Sequence, residues 1–590
     1  MFFRNILFVL LLLTFFQTAF SQSTEAEKPK TVTAELRKEA VGFLRETNVE
    51  VSTLRSLENR ISFSSEMAGL MWFYDEKEAA VMYQAVITDF KQLLTDYDAQ
   101  LTALNLTPSE SEYRASVFGG NQDDKTRLTQ KFYKAVGVRQ QIAMSLAEHD
   151  AVLAFNFYYD TLGIISNPEL RKTLEQRDSV FESQFIKQIA LKDPAKAVEL
   201  GKKSLAKGVN WTQVELLQKI YEKDDAKGAE FAGEIVKKFK DDKVSASNFY
   251  NVTSFLSLGS QNAEEIKKKG GRKPMFSDQN LRDLAEILAQ GILENKQPRE
   301  FETAAYAANN LELIDKYAPA RAVQIRAKLP VKTKPTTAVY EDSNAPRVAL
   351  KSPPLTRSEV ETQAQSEAEN KTRKEREETM KNVLKLKELP KEERDKIILQ
   401  ARKIVNGIGN KQEKIMALSL LASQVAAVGD KELAAEIMKD AQTLVNPSPK
   451  NYQDFIETWF LASAYSATDA EKAFPILEDA ITRLNDTLSA FIKVGEFMDV
   501  SGEIVDDGEV QVGAFGGAMM NGLTRELGIA NLTIRNLAVA DFGKTKNITN
   551  KFDRTEVRIL AKMLVLRAVL GDDTKKLINR EGITDTDGGF

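Results

Sequence analysis

At 590 residues the chain is too long for one small core, and 43% hydrophobic against 28% charged residues is a globular balance that excludes a disordered polymer. A net charge of −4 lacks the basic excess that nucleic-acid binding requires, so no nucleic-acid partner is expected. With no cysteine and one histidine, His149, the composition excludes disulfides, thiolate catalysis, cysteine-ligated zinc, iron–sulfur clusters and paired-histidine metal sites.

The first 21 residues read as an export signal. Arg4 supplies a short positive region, residues 6–16 are apolar, and Ala19-Phe20-Ser21 gives a small–x–small cleavage pattern, with Gln22 as the expected mature start. The apolar run is shorter than the roughly 20 residues of a membrane span, and no cysteine follows for a lipid anchor. An uncleaved anchor is the alternative. A periplasmic or secreted location follows, with no transmembrane segment in the mature chain. Cysteine avoidance suits such an oxidising compartment.

Residues 31–165 predict an N-terminal helical domain. Leu36, Ala40, Phe43, Leu44 and Thr47 recur every three or four positions, as one buried stripe requires. From Lys77 to Leu101 the expected stripe is Val81, Met82, Ala85, Ile87, Phe90 and Leu94, with Asp89, Lys91, Asp96 and Asp98 on the wet side. The aromatic runs 72–74 and 155–159 are expected to pack between helices rather than to form a ligand-stacking platform.

Residues 168–328 and 377–500 predict helical-hairpin repeats. The pattern D-x-x-x-A recurs at Asp193–Ala197, Asp225–Ala229, Asp430–Ala434 and Asp469–Ala473. An Asp at a helix start accepts from free backbone N–H groups and suits the positive end of the helix dipole. A small residue one turn later lets a partner helix approach. The preceding helix, as at 415–428, ends at Gly429, which takes the left-handed position after a helix. The first two aspartates stand 32 residues apart (193 to 225) and the last two 39 (430 to 469), spacings of helix–turn–helix repeats.

With Ala417, Leu420, Ala422, Ala434, Ile437, Ala441, Trp459, Leu461, Ala462, Tyr465, Ala473 and Ala480, the stretch 414–484 resembles the tetratricopeptide-like superfamily of α-solenoids. Trp459-Phe460-Leu461-Ala462-Ser463-Ala464-Tyr465 approximates that family's W-x-x-L-G-x-x-Y signature with altered spacing. The resemblance implies a concave surface that binds peptides or proteins and implies no chemistry. The expected fold is thus all-α, with stacked antiparallel hairpins in two halves.

Between the halves, residues 329–376 hold Pro330, Pro335, Pro346, Pro353 and Pro354 and read as a linker, continuing into a charged run from Glu359 to Lys387. That run is expected to be a solvated single helix or a tether. In 501–580, a C-terminal helical segment, residues 506–517 form a glycine-rich acidic loop with room for a short strand. Helices are expected to resume near Ala518 and from Thr555 to Leu570. Residues 581–590 are expected to be a flexible tail.

Tests for chemistry find no convergent set. His149, on a helix, lacks a second His or a Cys. Gly513–Gly517 is followed by Met519-Met520 where a phosphate-cradling loop needs Lys and Ser/Thr. Asp585-Thr586-Asp587 starts like a calcium loop, but no closing bidentate Glu follows it. Ser204–Lys207 matches S-x-x-K without its companion motifs. Glu58-Asn59 with Gly69-Leu70-Met71-Trp72 resembles fragments of lytic transglycosylases, with Asn and Trp in place of that family's Ser and Gln. No catalytic, cofactor-binding or metal residue is therefore assigned. The expected function is a protein–protein interaction scaffold with protein partners. The alternatives are a cell-wall-active enzyme using Glu58 as general acid, or a purely structural envelope protein.

Overall fold

The computed structural model describes residues 32–106, 114–116, 120–122, 124–206, 208–242, 249–294, 300–328, 377–497, 505–512 and 530–571. The expected export signal (1–21), linker (329–376), glycine run 513–517, helix start near Ala518 and C-terminal tail (581–590) lie outside the described residues.

The fold is all-α. The chain divides into two compact units, and the division departs from the sequence boundaries. One unit gathers the described helices up to Phe90 with residues 114–121 and those from 377 onward; the other takes the described residues of 91–113 and 122–328. The segment 31–165 is therefore divided between them. Amphipathic periodicity shows that a helix buries a face; it does not say which helix covers it.

The first unit opens with α1 (Ala34–Val51), α2 (Leu57–Met71) and the first half of α3 (Glu76–Leu106). The second holds the rest of α3, then α4 (Asp124–His149), α5 (Ala151–Asp160), α6 (Pro168–Lys192), α7 (Pro194–Leu205), α8 (Thr212–Lys223), α9 (Asp225–Asp241), α10 (Phe249–Lys269), α11 (Asp278–Glu294), α12 (Glu300–Tyr317) and α13 (Pro319–Lys328). The first unit resumes with α14 (Lys391–Asn406), α15 (Lys411–Ala427), α16 (Lys431–Leu444), α17 (Tyr452–Thr468), α18 (Ala470–Phe497), α19 (Ala530–Ala540), α20 (Phe542–Thr549) and α21 (Thr555–Leu570). Among the described residues two minimal ribbons interrupt the helices: β1 (Arg114–Ser116) with β2 (Gly120–Gln122), and β3 (Val505–Asp506) with β4 (Glu509–Val510).

Within the second unit helices pack mainly on the next helix and the next but one: α6 on α7 and α8, α7 on α8 and α9, α10 on α11 and α12, α11 on α12 and α13. This is the connectivity of an α-solenoid. Ion pairs mark the next-but-one register: Lys187–Glu215 between α6 and α8 (2.5 Å), Lys202–Glu230 between α7 and α9 (2.8 Å), Lys240–Asp283 between α9 and α11 (2.5 Å). Such half-exposed pairs add little stability each, so the apolar interior carries the packing. The later helices of the first unit stack likewise, around a core running from Val383 and Leu386 through Ile398, Val405, Leu421, Ile437, Ala441, Leu461 and Tyr465 to Leu537 and Ile548.

Of the four expected aspartate caps, Asp193 and Asp430 act as such. Asp193 accepts from the N–H of Lys196 (2.9 Å) with Pro194 at the first helical position, and Asp430 accepts from Leu433 (3.1 Å). Gly429 has φ +96°. One expectation shifts by a residue. Asp224, not Asp225, caps α9 through Lys227 N (2.9 Å), while Asp225 sits in the first turn and accepts from Lys273 N (2.8 Å). The close approach shifts with the cap, from the expected Ala229 to Gly228, where a Cβ would stand 2.7 Å from Cα of Tyr221 on α8. On α3 the expected stripe is partly wrong. Val81 is 70% exposed and Ala85 also faces out, whereas Ala79, Tyr83, Val86, Leu93 and Tyr97 are buried with Met82, Ile87, Phe90 and Leu94. Tyr83 and Tyr97 bury their rings, and the apolar arc turns away from Val81 and Ala85.

Candidate functional site

His149 ends α4, half-buried, beside the α5 cap Asp150. Burial, with the Lys192 charge nearby, pushes its imidazolium down to about 4, so the ring is neutral near pH 7. Among the described residues no group of three or more His, Asp or Glu side chains is placed to hold a metal ion. Ser204 donates to the carbonyl of Gly201 (2.9 Å), an ordinary helix contact; Lys207 lies outside the described residues.

Glu58 is 4% exposed, in the first turn of α2, and accepts from the hydroxyl of Ser56 (3.3 Å), the cap of that helix. Leu70 and Met71 are buried, and the Trp72 ring lies 5.9 Å from that of Tyr83. Glu58 therefore stands inside a helix start, where its charge favours the dipole.

The aromatic run 155–159 surrounds a buried charge that the sequence reading missed. Arg139, on α4, is fully buried. Its Nη1 donates to Asp178 Oδ2 on α6 (2.7 Å), its Nε to Thr161 Oγ1 (2.6 Å), and its Nη2 to the carbonyl of Tyr158. The guanidinium also lies 4.2 Å from the Tyr158 ring centre. Gln140 Nε2 donates to the other Asp178 oxygen (3.1 Å). Burial and the neighbouring carboxylates push the hydroxyls of Tyr158 and Tyr159 far above their usual range, and Tyr159 donates to Glu182 (2.9 Å). Tyr158, Phe181 and Phe185 pack ring against ring at 4.7–5.8 Å. This is inter-helix packing around one ion pair, as expected for the aromatics.

The described part of the acidic loop, 505–512, is a docked hairpin. Asp507 (φ +49°) and Gly508 (φ +76°) form its two-residue turn, the left-handed pair that Asp-Gly favours. The buried Glu509 carboxylate accepts from the backbone N–H groups of Arg55 (2.9 Å) and Ser56 (3.2 Å), adding acceptors to the start of α2. Fully buried Asn59 donates to the carbonyl of Val510 (3.0 Å) and accepts from Val512 N (3.0 Å). Glu556, at the start of α21, accepts from Val510 N (3.0 Å) and from Arg554, which also donates to the carbonyl of Gly508. These hydrogen bonds join segments far apart in the chain.

The surface offers something different. Trp211 (56% exposed) and Tyr250 (68% exposed) are large rings left in solvent. They flank one hydrogen bond, from Asn251 Nδ2 to the carbonyl of Val209 (3.1 Å), which ties the start of α10 to the segment before α8. Trp and Tyr are enriched among the residues that carry binding energy at protein interfaces. No protein-family model matches the chain, and no curated protein matches it.

Proposed function

We propose that this is an exported, tetratricopeptide-like helical-repeat protein that works by binding other proteins. The observation that carries the reading is the second unit, where helices pack in sequence and leave the rings of Trp211 and Tyr250 unburied. Stacked hairpins supply a long surface whose outer side chains are not needed for folding, which is how such arrays bind peptides and proteins. Export is supported by the Arg4 and 6–16 signal pattern and by the lack of cysteine. No helix among the described residues is long and apolar enough to cross a membrane.

The test compares capture by the full mature protein and by Trp211→Ala/Tyr250→Ala from the cell envelope of its own organism. The reading predicts a partner retained by the former and lost by the latter, at equal helicity. Identical capture profiles would remove these two rings as the binding face.

A further inference from the structure

The described helices nearest the two ends of the sequence meet in one unit. Helices α1 and α2 both pack on α21. Across that seam the acids stand on the N-terminal side and the bases on the C-terminal side. Glu50 receives Arg558 Nε and Lys562 Nζ at 2.6 Å each, Glu66 receives Arg567, and Glu39 lies 3.5 Å from Lys546. Between the charges, Phe43 meets Phe542 edge to face at 5.9 Å, with Lys546 and Lys562 each 5.7 Å from the Phe43 ring centre. The β3–β4 hairpin adds a second fastening through Glu509 and Asn59, whose partners are about 450 residues away in sequence. With α1 and α2 on one side and α19 and α20 on the other, α21 is buried nearly all round, including Val557, Ile559, Met563, Val565, Leu566 and Val569.

In packing order the stack from α14 to α21 thus continues into α1 and α2, although those helices come first in the chain. We infer that α1–α2 are the closing hairpin of the C-terminal array, held by a non-covalent clasp that does not depend on the covalent path between the two ends. Each array needs a covered last helix, and here the N-terminal hairpin covers it. A chain cut between the two ends therefore stays one particle, and the clasp opens only when its charge pattern and its apolar seam are both broken.

The experiment uses the full chain with a specific protease site inserted within 329–376. After complete cleavage, the two fragments are run on a sizing column under native conditions. The inference predicts that they co-elute at the position of the uncut protein. It also predicts that cut Glu50→Lys/Glu66→Lys/Phe43→Ala separates into two fragments, while the same variant uncut keeps the wild-type helicity. Exchanging the charges, with Arg558→Glu, Lys562→Glu and Arg567→Glu added, restores co-elution. Separation of the cut wild-type chain would overturn the inference. So would co-elution of the cut variant, because contacts elsewhere would then hold the fragments together. If the uncut variant loses helicity, cut Phe43→Ala in 1 M salt, which breaks the ring contact and screens the charges, replaces it and is predicted to separate; co-elution there would also overturn the inference.

Discussion

Replacing Arg139 by Met removes a charge with no access to water. Asp178, nearly as buried, would keep only the Gln140 amide at 3.1 Å, and the Tyr158 carbonyl and Thr161 hydroxyl would lose a donor each. Breaking a buried pair by removing one partner costs on the order of 3–5 kcal/mol, because the remaining ion is stranded. Arg139→Met/Asp178→Leu strands no charge and fills similar volume, so it should cost less than either single change. The assay is hydrogen exchange of the α4 and α6 segments at increasing urea. At about 2–3 kcal/mol per molar urea, Arg139→Met should lower the opening midpoint by roughly 1–2 M, and the double variant by less than about 1 M. A double variant as unstable as the sum of the singles would refute the reasoning, since the two residues would then act independently.

His149 is neutral in the fold and binds a proton more readily when unfolded, so stability is complete above about pH 6.5 and falls as pH drops toward 4. Discounted for its partial exposure, the loss is roughly 1–3 kcal/mol; denaturation at pH 7 and 5 should show it in the wild type and not in His149→Gln. Gly228→Ala forces α8 and α9 apart and should cost about 1–3 kcal/mol, whereas Gly233→Ala on the same helix, where a Cβ meets nothing within 4 Å, should gain about 0.5–1 kcal/mol; local hydrogen-exchange protection separates them. Asn59→Ala leaves Val510 O and Val512 N without their partner and should cost about 2–4 kcal/mol, read as a lower melting temperature of the first unit. Glu50, though burial raises it, is held below the usual carboxylate range by hydrogen bonds from Lys562 and Arg558, so its contribution is present at neutral pH and fades as pH falls through that lowered value; Glu50→Gln should flatten this acid limb of unfolding.

Local signals in the sequence were legible because their physics is local. Asp193, Asp430 and Gly429 each act within one turn of the backbone, so spacing alone placed them. The cap at 224 rather than 225 shows the limit: two adjacent aspartates compete, and only the backbone conformation at Asp224 (φ −146°, ψ 107°) chooses. Asp507-Gly508 carried a hairpin signal, but a ribbon of two residues per strand gives no alternation to read. Long-range features were hidden. Arg139 sits on a helix where a charged residue ordinarily marks the wet face, and the Asp178 that neutralises it is 39 residues away. The placement of α1–α2 against α21 was invisible for the same reason: an apolar stripe fits any complementary stripe.

Docking of proteins on the helical array can be trapped by placing a photo-crosslinking amino acid at Tyr250 and illuminating cells that make the protein. A discrete adduct with another protein is expected, abolished by Trp211→Ala and absent when the same group replaces the exposed Glu432 in the other unit. Equal adducts at both positions, or none at Tyr250, would contradict it.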